Sequence, residues 1–222
     1  MPQSTAHLSL PKLPPGSLVC IVDDDESIRR SLSRLFRSVH MPAETFASAE
    51  SYLERELYVG PSCLVLDLQM PGLDGLELQQ ELSDREVQIV FLTGRADIPT
   101  CAEAMKAGAI DFLTKPVDEE DLIRAVHRAL ARSIEVRNAT AERVAARARL
   151  DTLTPREFEV MQLVIRGMLN KQVGGELGVA EKTVKVHRGR LMQKLGVASV
   201  AELVQLVQKA EVRPPARSET KV

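Results

Sequence analysis

Five short apolar runs punctuate the first half of the chain: Leu18–Val22, Ala43–Phe46, 63–66, 89–92 and 110–113. Between them lie stretches whose apolar residues recur at three- and four-residue spacing, as in Ile28, Leu32, Leu35 and Phe36. Ser48 ahead of Tyr52 and Leu53, and Pro99 ahead of Ala102 and Met105, mark helix starts. Strand–helix alternation repeated five times predicts an α/β, doubly wound, five-stranded parallel sheet with helices on both faces.

The texture then changes. No Pro or Gly interrupts the chain between Pro116 and Pro155, and Leu122, Val126, Leu130 and Ile134 recur every fourth residue. Ala141, Val144, Ala145 and Ala148 continue the stripe with small side chains. One helix over about 119–149 follows, ~45 Å long at ~1.5 Å per residue. Its second half lacks the large apolar residues of a core and reads as a linker. From Thr152 the pattern is wholly helical: one helix through Phe158, Met161, Leu163 and Val164, then 170–177, 183–195 and 200–207, with Gly167, Gly178 and Gly196 as stops. The all-α four-helix module opens at Leu153-Thr154-Pro155-Arg156-Glu157, with Thr154 as N-cap, Pro155 at the first helical position and Glu157 as capping-box partner. The two helices flanking Gly178-Val179 form a helix-turn-helix.

The expected organisation is a disordered Pro-rich lead (1–16), an α/β domain (17–133), a helical linker (134–151), a helical domain (152–212) and a flexible tail (213–222). Composition adds two points. Aromatics are 3% with no Trp, so the cores are aliphatic. The net charge of −2 conceals a division: residues 1–133 hold 13 basic and 21 acidic side chains, net −8, and residues 134–222 hold 16 and 10, net +6. No apolar run approaches the ~18 residues of a membrane span, and the amino terminus lacks a secretory pattern. Cys20, Cys63 and Cys101 have no metal-like spacing and read as small buried hydrophobes in a reducing cytoplasm. Membrane, secreted and zinc-finger classes are set aside.

The predicted sheet gathers the chemistry at one edge. Asp23 and Asp24 follow the first strand, Asp67 the third, Thr93 ends the fourth, and Lys115 with Pro116 the fifth. In open α/β sheets ligands bind at this carboxyl edge, near the switch in strand order. One strand-end Asp reads as a helix cap; three converging there repel one another unless a cation sits among them, and oxygen donors with room for water suit Mg²⁺. The arrangement fits phosphoryl transfer to a carboxylate, with metal and lysine neutralising the phosphoryl oxygens and a hydroxyl positioning one. Asp67 is the acceptor, since it lies opposite both Thr93 and Lys115 in the sheet order.

These residues carry a resemblance. Ile21-Val22-Asp23-Asp24-Asp25, Asp67-x-x-Met70-Pro71-x-x-x-Gly75, Thr93-Gly94 and Lys115-Pro116 resemble the receiver domain of bacterial response regulators, a flavodoxin-like fold, over about 17–130. Residues 92–100 and 103–113 resemble the FixJ branch in particular. The resemblance implies that Asp67 takes a phosphoryl group from a sensor histidine kinase. Asp24 then binds Mg²⁺ directly and Asp23 mostly through water, with Asp67 and the Gln69 backbone carbonyl completing the protein ligands. It further implies that Lys115 pairs with the phosphoryl group through a cis bond to Pro116, and that Thr93 and Phe112 move together as a switch and reshape the face used for dimerisation. Phe112 taken alone reads as core, and only the resemblance gives it the switch role.

On the third helix of the basic module Val184, Leu191 and Leu195 form a buried stripe, and Lys182, Lys185, Val186, Gly189 and Gln193 face outward with Arg190 on the flank. Eight basic against four acidic residues over 154–195 favour the DNA major groove, with Lys185 and Val186 at base edges. Leu153 to Glu157, Asn170-Lys171 and the stretch 181–187 resemble the LuxR/NarL-type DNA-binding domain. That resemblance implies phosphate contacts from Lys171, Thr183, His187, Arg190 and Lys194, with His187 equally readable as a core-edge residue. Three departures stand out: Ala180 at the recognition-helix N-cap, Gly174-Gly175 within the scaffold helix, each ~1 kcal/mol worse than Ala, and Gly189 on the groove face. They predict modest affinity for the isolated domain, restored by dimerisation.

The combined expectation is a cytoplasmic response regulator transcription factor, probing double-stranded DNA as a phosphorylation-induced homodimer and working with RNA polymerase, more as activator than repressor. Its only catalysis is its own phosphorylation and dephosphorylation. Two alternatives remain open: a phosphatase using an Asp-x-Asp motif at Asp23-Asp24-Asp25, and a DNA-binding protein indifferent to phosphate.

Overall fold

The computed structural model describes residues 15–56, 58–94 and 98–211. Nearly all of the expected disordered lead, and the expected tail over 213–222, lie outside the described residues. The chain divides into two compact units, Met1–Arg137 and Asn138–Val222.

In the first unit the strands β1 (Leu18–Val22), β2 (Ala43–Phe46), β3 (Ser62–Leu66), β4 (Gln88–Thr93) and β5 (Asp111–Thr114) form one parallel sheet of order β2-β1-β3-β4-β5. Every residue of the central β1 and β3 is buried, as strands covered on both faces require, whereas the edge strands β2 and β5 are half-exposed. Alternate strand residues serve opposite layers. Cys20, Val22, Leu64, Leu66 and Phe91 pack with Tyr52, Leu78 and Ala104. Val19, Ile21, Cys63, Val65, Val90 and Leu92 pack with Leu32, Phe36, Leu122, Val126 and Leu130. The helices are α1 (Glu26–Ser38), α2 (Ala49–Leu53), α3 (Gly75–Glu81), α4 (Ile98–Lys106) and α5 (Glu119–Leu150). Asp25, Ser48 and Asp74 cap the first three through their side-chain oxygens; α1 and α2 start within four residues of a strand end, and α3 starts nine residues after β3.

Two expectations need correction here. Cys20 and Cys63 are buried, but Cys101 is only half-buried, on a helix α4 whose one buried residue is Ala104. The second half of α5 is no bare spacer: Ala146 and Leu150 are buried in the core of the second unit with Val160, Leu203 and Ala210. Ala146 and Leu150, four residues apart, share the inward face, whereas Ala141, Val144, Ala145 and Ala148 of the expected stripe are exposed.

The second unit continues with α6 (Pro155–Val164), α7 (Asn170–Leu177), α8 (Glu181–Lys194) and α9 (Val200–Lys209). The capping box forms as the residue types suggest: the Glu157 N–H donates to Thr154 Oγ1 (3.3 Å) and the Thr154 N–H to Glu157 Oε2 (2.9 Å). Helix α8 begins two residues before its expected start, at an Ala180 cap that makes no side-chain hydrogen bond. Gly174 overturns the propensity argument. A Cβ there would lie 2.7 Å from the Val179 carbonyl oxygen, so glycine is what lets the turn close onto α7. Gly175, with nothing within 4 Å of such a Cβ, keeps the ordinary helix penalty.

Candidate functional site

Strands β1 and β3 are neighbours whose connections run to opposite sides, which opens a crevice beyond their carboxyl ends. The Asp67 N–H donates to the Val22 carbonyl (2.8 Å) and the Asp23 N–H to that of Phe46 (3.3 Å), setting the first residues past β1 and β3 side by side. Asp23 and Asp67 are buried and Asp24 is exposed, with carboxylate oxygens of all three within 4.8 Å of one another. Lys115 reaches in from the end of β5, its Nζ 2.7 Å from both Asp23 Oδ2 and Asp67 Oδ2. Asp67 therefore does not hold the lysine alone; Asp23 shares it equally.

Backbone donors orient the acids: the Asp25 N–H to Asp23 Oδ1 (2.9 Å) and the Gln69 N–H to Asp67 Oδ1 (3.3 Å). Burial pushes the Asp23 carboxyl above its ordinary range, against the opposing pull of Lys115 and the Asp25 N–H. Burial alone would lower the Lys115 ammonium, yet the hydrogen bonds and charges of Asp23 and Asp67 outweigh it and raise its pKa. The donor set is wholly oxygen, and its exposed member, Asp24, leaves room for water. This fits Mg²⁺.

The remaining expected residues surround this cluster. Thr93 is fully buried at the end of β4, and its carbonyl accepts the Lys115 N–H at 2.7 Å. The Lys115–Pro116 bond is cis. Phe112 is half-buried with its ring 5.9 Å from that of Phe91, so it belongs in part to the core. Gly75 has a steric reason: a Cβ there would lie 2.5 Å from the Asp67 carbonyl oxygen. Sequence reasoning missed two supports. Arg29 donates to the Asp23 carbonyl at 2.7 Å, and Glu50 accepts the Leu73 N–H at 3.1 Å, bracing the loop after Asp67. Arg29 reaches back six residues and Glu50 forward 23, and neither contact has a spacing motif that marks it in the sequence.

In the second unit Val184, Leu191 and Leu195 are fully buried, which turns the opposite side of α8 outward. Lys182, Thr183, Lys185, Val186, Gly189 and Arg190 are exposed there, as is Lys171 near the start of α7, and His187 is half-buried. An exposed Val186 among lysines suits a groove more than bulk water. Nothing lies within 4 Å of a Cβ built on Gly189, so that part of the face is bare. The exposed Lys194 has its Nζ 2.7 Å from Oε2 of the buried Glu157, so this lysine ties the end of α8 to the start of α6. Arg188, which the outward-face reading passed over, donates to Asn170 Oδ1 at 3.0 Å.

Residues 19–127 match the family described as Response regulator receiver domain, and residues 151–207 that described as Bacterial regulatory proteins, luxR family. Nodulation protein W of Bradyrhizobium diazoefficiens is 44% identical over 192 residues, 86% of this chain and 85% of that protein. Transcriptional regulatory protein FixJ of Rhizobium meliloti is 36% identical over 190 residues, 85% of this chain and 93% of that protein. The solved structure of the response regulator StyR matches with a TM-score of 0.78 at 47% identity, covering 87% of this chain and 99% of that one.

Proposed function

The chain belongs to the response regulators that join a receiver domain to a luxR-family helix-turn-helix domain, and from that premise we propose that Asp67 is its phosphoacceptor and α8 its DNA-reading helix. An oxygen of Asp67 attacks the phosphorus of a phosphohistidine on a sensor kinase. The P–N bond breaks with its electron pair returning to the imidazole, and an acyl phosphate forms on Asp67. Asp23, Asp24, Asp67 and the Gln69 carbonyl would hold Mg²⁺, which supplies charge neutralisation for the phosphoryl oxygens. Lys115, released from its pairing with Asp67 as that carboxylate becomes an acyl phosphate, turns its ammonium to the phosphoryl group. Thr93 donates to another phosphoryl oxygen, and its shift with Phe112 alters the surface of α4, β5 and α5, through which a homodimer forms.

The observation that carries this reading is one lysine shared equally by two buried carboxylates, with a third at their side. A phosphatase acting through Asp23 would leave Asp67, Thr93 and the helix-turn-helix unit without a task. The turnover proposed is confined to Asp67 itself. In the second unit Lys171, Lys182, Thr183, His187 and Arg190 would meet phosphates and Lys185 and Val186 base edges, with Lys194 withdrawn from that set. The dimer would act on transcription with RNA polymerase in the cytoplasm; among the described residues no helix is long and apolar enough to cross a membrane.

Asp67→Asn is expected to abolish acid-labile phosphate from acetyl phosphate, and the wild-type chain to release no steady phosphate from a phosphomonoester. Undiminished labelling of the variant would overturn the acceptor assignment. Operator affinity that ignores beryllofluoride would instead favour constitutive binding.

A further inference from the structure

The five Lys and Arg residues of α8 fall into two sets. Lys182, Lys185 and Arg190 are exposed on the outward side. Arg188 and Lys194 turn to acceptors within their own unit, Asn170 and Glu157. Lys194 fastens the far end of α8. Arg188 lies nearer its middle and meets Asn170, the first residue of α7, 18 positions away in sequence.

Two helices joined by a tight turn form a V, whose opening needs a second contact away from the vertex. At the vertex, α7 approaches the turn so closely that Gly174 has no room for a Cβ, and the Val179 N–H donates to the Gly174 carbonyl at 2.9 Å. At the open end, the Leu169 cap of α7 offers no side-chain hydrogen bond, and the guanidinium of Arg188 spans the gap to the Asn170 side chain. A charged donor on a half-buried amide oxygen is among the stronger pairings available there.

We propose that Arg188 is a positioning residue: held by Asn170, it sets the angle of the reading helix against α7 and contributes no phosphate contact. The inference rests on the DNA-binding reading of the second unit and extends it. A phosphate contact and a positioning role differ in measurable ways. Each neutralised phosphate steepens the salt dependence of binding by about 0.9 in log–log slope and strengthens all sequences alike. A fixed helix angle brings base-edge contacts into register, and so favours one sequence over another.

The test uses the full-length chain with Mg²⁺ and beryllofluoride. Its probes are a duplex selected by that wild-type chain from a random-sequence pool and the scrambled duplex of equal composition. Arg188→Met is expected to lower affinity for the selected duplex about tenfold, leaving the scrambled duplex and the salt slope unchanged. Asn170→Ala should give the same loss, the double variant no more, and Asn170→Asp, which keeps the acceptor oxygen, wild-type preference. Should Arg188→Met fail to fold by circular dichroism, the two Asn170 variants carry the test. A slope shallower by about 0.9 with equal loss on both duplexes would overturn the assignment, as would additive losses in the double variant. A wild-type chain that enriches no duplex removes the DNA-binding reading itself, and this inference with it.

Discussion

Gly174 and Gly175 are adjacent, occupy one helix and are met by different surroundings, so alanine at each should act in opposite directions. Alanine favours a helix interior over glycine by ~1 kcal/mol at either site. At Gly175 nothing opposes that gain, because no atom lies within 4 Å of the added Cβ. At Gly174 the Cβ would stand 2.7 Å from the Val179 carbonyl oxygen, where ordinary contact begins at 3.4 Å, so the turn must retreat by about 0.7 Å. That carbonyl is backbone, and the same turn donates the Val179 N–H to Gly174, so no flexible side chain can absorb the shift. Overpacking of this kind costs roughly 1–3 kcal/mol.

The propensity gain cancels between the two variants, and their difference isolates the clash. With ~4–8 °C per kcal/mol for a domain of this size, Gly174→Ala should melt at least about 4 °C below Gly175→Ala in the transition of the helical unit. Differential scanning calorimetry of the full-length chain resolves that transition. Equal midpoints for the two variants, or a more stable Gly174→Ala, would refute the close-approach explanation.

Two further outcomes follow from the charge clusters. Lys115→Ala leaves Asp23 and Asp67 buried without their cation, which should destabilise the first unit by roughly 3 kcal/mol; thermal melting should show part of this recovered by saturating Mg²⁺, and a loss insensitive to Mg²⁺ would count against the metal site. The Lys194 hydrogen bond, with the Thr154 N–H, holds Glu157 down at about 2 from its usual 4.5. A depressed carboxylate adds stability above its unfolded pKa and loses it as pH falls through the folded value, so the second unit should weaken between about pH 4.5 and 2. Glu157→Gln should flatten that difference in pH-dependent melting curves.

What was legible in the chain tracks how local each determinant is. The buried β1 and the half-exposed β2 both fall where the sequence places them, since a strand's extent is set by its own residues and the Pro or Asp beside it. The Thr154–Glu157 cap is likewise contained in four consecutive residues. Gly174 was misjudged because propensity considers one helix, and its real constraint is a carbonyl across the turn. Ala146 and Leu150 lie off the expected stripe of Ala141, Val144, Ala145 and Ala148, because an Ala- and Arg-rich segment shows no dominant face until α9 packs against it. The sheet order, which creates the crevice, depends on pairing among strands far apart, so no strand's own residues dictate it; it was foreseen only through the doubly wound pattern and the resemblance to receiver domains.

The two paired lysines show why part of the site could be foreseen and part could not. Lys115 and Lys194 both end an element, and both sit 2.7 Å from a buried carboxylate. The resemblance to luxR-type domains offered Lys194 as a phosphate contact, and its partner Glu157, 37 residues away, carries no local signal. There one ammonium meets one carboxylate, charge is balanced, and the pair has nothing further to recruit. Lys115 instead faces Asp23 and Asp67 with Asp24 beside them, three carboxylates against one ammonium. That uncompensated negative charge is what a divalent cation would neutralise, and strand-end acids announce it in the sequence because sheet topology gathers every such end at one edge. Stoichiometry of charge, more than the presence of a buried ion pair, separates the reactive cluster from the structural one.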